Sequence, residues 1–147
     1  MSDVGHKIGV MTTSSSAELL TVNLGDDERN FIWQAMYQWQ FSASRQPFPY
    51  QVLGLSTWQE FAELTHRLAH AVTDQEPLTG LDWMRVLYLT ECSWASDVVG
   101  AGLDFSIVTE FSDIDGLSLL RGLQRKIGRV ARPELLFPDG GQNPTAQ

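Results

Sequence analysis

Residues 81–99 form the most hydrophobic segment of the chain, and such a segment folds only where other elements can cover it. At about 100° per residue it predicts a helix whose apolar side chains surround Glu91. A carboxylate in a core is costly unless it is paired or protonated. We therefore predict that Glu91 is buried beside several N–H donors or a cation, with Arg29, Arg67 and Arg121 as candidate cations.

Three further segments predict helices that pack on this central one. Gly25 and the acids after it mark the start of a helix over residues 26–42. A Ser-Thr-Trp-Gln capping signature at residues 56–59 opens the next helix. The last helix begins at Ser112 or Asp113 and extends to about residue 129, with acids in its first turn and bases in its last.

Two short alternating segments predict strands. Residues 18–24 and 103–108 each alternate apolar and polar side chains, and pairing the two with each other is the economical arrangement. The expected fold is mainly α: a single four-helix domain over residues 18–132 around the central helix, with room for a small two-stranded sheet. The polar residues 1–17 and the Pro- and Gly-rich residues 133–147 predict flexible tails.

The composition sets the charge and excludes several classes of partner. The chain has 18 acidic and 10 basic side chains, and its net charge of -8 disfavours nucleic acids and anionic membranes and favours a basic protein surface. Half of the bases fall in residues 121–132, where they match the end of a helix dipole and lack the interleaved aromatics of a nucleic-acid site. We expect no nucleic-acid partner and no membrane partner.

Cysteine content and the N-terminal sequence bear on the compartment. The single Cys92 cannot form an internal disulfide, and no N-terminal apolar run is long enough for a signal peptide. These features predict a cytoplasmic protein. Met11, directly before a Thr-Thr-Ser-Ser-Ser run, is an alternative natural start.

The first predicted helix carries two apolar stripes, although one is enough for packing. The core stripe consists of Phe31, Ile32, Ala35, Met36 and Trp39. Trp33, Tyr37 and Phe41 form the second stripe, which predicts a protein interface, either in a homodimer or with an unlike partner. The alternative is that residues 47–55, which contain two prolines, fold back and cover the stripe within the same chain.

Glu63, His66 and His70 share one flank of the second helix. Histidines at positions i and i+4 can bind one metal ion, and Glu63 is the nearest candidate for a third ligand. No second Glu-x-x-His motif accompanies them, and a polar helix flank explains the same spacing. We expect no required metal and no cofactor.

The sequence contains no G-x-S-x-G nucleophile elbow and no phosphate loop. It predicts a non-catalytic acidic protein-interaction module, of which a bacterial regulator or an immunity- or antitoxin-type inhibitor that covers a basic surface is the most concrete form. The competing hypothesis is a small enzyme or ligand-binding protein with a pocket beside buried Glu91. That carboxylate would then act as a general acid or base together with His70, Tyr88 or Cys92.

Overall fold

The computed structural model describes residues 17–40 and 48–138, and these are mainly helical, as predicted. The long helices are α1 (Asp26–Gln38), α2 (Trp58–Thr73), α3 (Gly80–Ala95) and α5 (Asp113–Ile127), and a one-turn helix, α4 (Phe105–Val108), precedes α5. Short 3-10 helices occupy Tyr50–Leu53, Gly102–Asp104 and Pro133–Leu135. The predicted N-terminal tail and Phe41 lie outside the described residues, apart from residue 17.

Local capping signals determine where the long helices begin. Thr57 accepts a hydrogen bond from the backbone N–H of Glu60, whose carboxylate accepts from the N–H of Thr57. This capping box lies one residue later in the chain than the signature predicted at residues 56–59. The Ser112 hydroxyl caps α5 by accepting a hydrogen bond from the backbone N–H of Asp115 at 3.2 Å. None of the described helices has the length and apolar character needed to cross a membrane.

α1 contributes its predicted core stripe in full, since all five of those side chains are buried. It packs against α2, α3 and α5, and α3 packs against α1 and α5, so these two helices share the centre of the domain. The ring of Phe48 packs against those of Trp39 and Phe61, and its centroid lies 5.2 Å from each of theirs. The 3-10 helix Tyr50–Leu53 follows Phe48 in the chain.

The predicted sheet partner is wrong. β1 (Leu19–Leu20) pairs antiparallel with β2 (Leu78–Thr79), whereas residues 103–108 are helical. Phe105 is fully buried there, while Leu103 and Ile107 are exposed. In this helical segment only one of the three apolar side chains, Phe105, points into the core. Apolar residues at every second position therefore did not indicate a strand here.

The orientation predicted for the central helix is also wrong. At about 100° per residue, Asp82 and Ser93 lie opposite Glu91 on the helix, yet both are buried, and the Ser93 hydroxyl donates to the carbonyl of Ala35 at 2.8 Å. The helix ends at Ala95, which is exposed, and not at residue 99. A segment that is apolar on nearly every side has no single hydrophobic direction, so contacts with other helices decide which side faces out.

The packed domain extends past residue 132, where the sequence predicts a tail. Leu136 is buried in the core after the 3-10 helix Pro133–Leu135. The ring of Phe137 meets that of Tyr88 edge-on, at 5.5 Å between centroids. This contact brings the C-terminal end of the described chain onto α3. Residues 139–147 lie outside the described residues.

Candidate functional site

An apolar groove of about 310 Å³ runs between α1 and α2. It is lined by Trp33, Met36, Tyr37, Gln40, Thr65, His66 and Ala69. Trp33 is half-buried and Tyr37 is 48% exposed, so two members of the predicted interface stripe share this groove. None of residues 48–55 lines the groove, and Phe48 and Leu53 of this segment are buried in the core. These residues therefore do not form the cover that was the alternative to a protein interface.

His66 of the predicted metal flank lines this groove, and it contacts His70, which does not. The Nε2 atoms of His66 and His70 lie 3.2 Å apart, and the ring of Trp33 stands edge-on to that of His70 at 5.1 Å. Glu63 instead accepts a hydrogen bond from Gln59 at 3.4 Å. Within residues 17–40 and 48–138, no group of three His, Cys, Asp or Glu side chains could hold a metal ion together.

Glu91 is half-buried, so its predicted burial is wrong. Its carboxylate accepts a hydrogen bond from the Gln124 amide at 2.8 Å, and Gln124 in turn accepts one from the Arg121 guanidinium at 2.7 Å. Arg121, one of the candidate cations, is thus connected to Glu91 through a neutral amide. Since α3 turns its other side to the core, the carboxylate reaches the surface of α5 and does not enter the packed interior.

Among the described residues, the buried carboxylates are Glu28, in the first turn of α1, and Asp82, in the first turn of α3. Glu28 accepts from Lys126 at 2.6 Å and from the N–H of Gly25 at 2.8 Å. Asp82 accepts from Arg67 at 2.8 Å and from Arg85 at 3.2 Å. Two local spacings belong to these networks, because Asp82 and Arg85 are three residues apart and so are Gly25 and Glu28.

Tyr88 and Cys92 lie beside Glu91 and have altered acidities. Burial raises the pKa of the Cys92 thiol and the Glu91 carboxylate raises it further, while a hydrogen bond with Tyr88 partly offsets both. Burial also raises the pKa of the Tyr88 hydroxyl, with smaller contributions from Cys92 and Glu91. Both groups therefore remain protonated near neutral pH, which does not favour a thiolate nucleophile.

We expect the Cys92 thiol to react with a disulfide reagent more slowly than a free cysteine near neutral pH, because the raised pKa lowers the thiolate fraction. The reaction rate should rise with pH until the pH exceeds the raised pKa of the Cys92 thiol. Measuring the rate against pH for the folded and the urea-unfolded chain checks this. Equal rates in the two states would contradict it.

A second surface was missed by the sequence reasoning. We call residues 97–115 the acidic apolar segment, because they contain five acidic and no basic side chains. Five large apolar side chains of the segment are each more than half exposed: Val98, Leu103, Val108, Ile107 and Ile114. The acids are exposed too, and none of them forms an ion pair with a described residue. Exposed apolar side chains at this density mark interaction sites.

Comparison with known proteins adds no relative. No protein-family model matches the chain, and neither a curated protein nor a solved structure shows significant similarity to it.

Proposed function

We propose that this protein is a cytoplasmic, non-catalytic interaction module that binds a basic protein surface through the acidic apolar segment. The observation that carries the proposal is the combination, within residues 97–115, of exposed apolar side chains and exposed carboxylates that form no ion pair with a described residue. Apolar side chains supply affinity once water is excluded, and the carboxylates select a basic partner and speed its approach. A bacterial regulator or an immunity- or antitoxin-type inhibitor works in this way.

The net charge of the whole chain supports this choice of partner. A charge of -8 attracts a basic surface at long range and repels acidic competitors. The Trp33 and Tyr37 groove is a second surface at which the same partner, or a second copy of the chain, can be bound.

The test begins with affinity capture from the native host, followed by calorimetry with the purified captured protein. We expect a stoichiometric complex that weakens in high salt. Replacing both Leu103 and Ile107 with Ala should weaken it at least about 30-fold, since hot-spot truncations cost about 2 kcal/mol or more. A Trp33→Ala, Tyr37→Ala double variant shows in the same assay whether the groove contributes.

The matched control replaces Leu19 and Val52 with Ala, because both are exposed apolar side chains outside the two surfaces. This control should bind like the wild type. The proposal is wrong if the captured protein has an acidic surface, or if the Leu103 and Ile107 double variant binds as tightly as the control. Sedimentation of the isolated wild type and groove variant reports whether the groove forms a homodimer instead.

A further inference from the structure

The His66–His70 pair has a geometry that its helix position alone does not impose. The two side chains lie one turn apart on the exposed side of α2, with ring centroids 4.4 Å apart and Nε2 atoms 3.2 Å apart. Each Nε2 carries one lone pair or one proton. At 3.2 Å, the two nitrogens are close enough to share a proton or to bind one metal ion.

The nitrogen separation matches metal coordination. Imidazole nitrogens bind Zn²⁺ at about 2.0–2.1 Å. Two such ligands are roughly 2.9 Å apart at a right angle around the ion and roughly 3.3 Å apart at the tetrahedral angle. The observed 3.2 Å lies between these values.

We propose that His66 and His70 form a binding site for one divalent transition metal ion of the zinc, copper or nickel class. Imidazole suits these ions, whereas Mg²⁺ and Ca²⁺ require oxygen ligands. The described residues supply no further His, Cys, Asp or Glu to complete a group of three, so water fills the remaining positions. The inference is independent of the proposed protein partner.

The fold does not depend on this ion. α2 is held by buried apolar side chains, Phe61, Leu68 and Val72 among them, and it starts at a complete capping box. An ion that binds only the folded state adds stability by mass action. Binding weakens as the pH falls, because a ligating imidazole must be deprotonated.

Trp33 provides a local optical signal for the site. Its ring lies 5.1 Å from that of His70, and it is one of five tryptophans in the chain. Cu²⁺ bound by the two histidines should quench this tryptophan by close contact. A Trp33→Phe variant should lose that part of the quenching and keep its affinity for Zn²⁺.

The experiment titrates Zn²⁺ into the chelator-treated full-length protein near neutral pH, followed by calorimetry, with Cu²⁺ quenching as a second readout. We expect one ion per chain. His66→Gln and His70→Gln should each raise the dissociation constant at least about tenfold, because one ligand of two is lost. The matched control is His6→Gln, which removes the remaining histidine of the chain and should change nothing.

Two results would overturn the site. If the wild type binds neither ion, the histidines share only a hydrogen bond. If the His70→Gln variant binds Zn²⁺ as tightly as the wild type, the ion is held elsewhere. Circular dichroism should show unchanged helix content in every variant, since His66 and His70 are exposed.

Discussion

Replacing Phe105 with Ala should lower the free energy of unfolding by about 3–5 kcal/mol, the usual cost of truncating a buried phenylalanine. The side chain is fully buried, and its ring packs against Phe31 with centroids 5.5 Å apart. Truncation leaves a cavity between α4 and α1 that Phe111, which also packs against Phe31, fills only in part. Urea unfolding at equilibrium measures the loss.

The neighbouring apolar residues provide the control. Leu103 and Ile107 are 76% and 77% exposed, so their replacement by Ala should change stability by no more than about 0.5 kcal/mol. A strand over residues 103–108 would put these two side chains on the same face as Phe105. Similar losses at all three positions would therefore refute the helical assignment.

Asp82→Ala should destabilise the fold by about 3 kcal/mol, because it removes a buried carboxylate and leaves half-buried Arg85 without its counter-charge. The Asp82 carboxylate joins Arg67 on α2 to Arg85 on α3. The Arg85 side chain is only 17% exposed, and its other hydrogen bond, to the carbonyl of Leu53, is long at 3.4 Å. Thermal and urea unfolding of the variant measure the effect.

Asp26→Ala is the matched control for this prediction. Asp26 forms an ion pair with Arg29, but its side chain is 94% exposed, and solvent screens such a pair. The unfolding midpoint of this variant should stay close to that of the wild type. Equal losses for the Asp26 and Asp82 variants would show that burial does not govern the contribution of these pairs.

The parts of the fold that depend on neighbours along the chain could be predicted from the amino-acid sequence. The starts of α1, α2 and α5 follow from capping residues and first-turn acids, which satisfy N–H groups within the same turn. The core stripe of α1 follows from helical periodicity, because its apolar side chains recur at helical spacing along one side of the helix. The shared position of Trp33 and Tyr37, which line one groove, also follows from their spacing along this helix.

Three features could not be predicted from the sequence: the side of α3 that faces outward, the partner strand of β1, and the position of the acidic apolar segment. Each depends on contacts between residues far apart in sequence, such as Lys126 with Glu28 or Trp83 with the carbonyl of Leu20. A helix that is apolar on nearly every side fits several orientations equally well by periodicity. The partners available for Asp82 and Ser93, and the space under Phe105, select among them, because buried polar groups must be paired and cores must be filled.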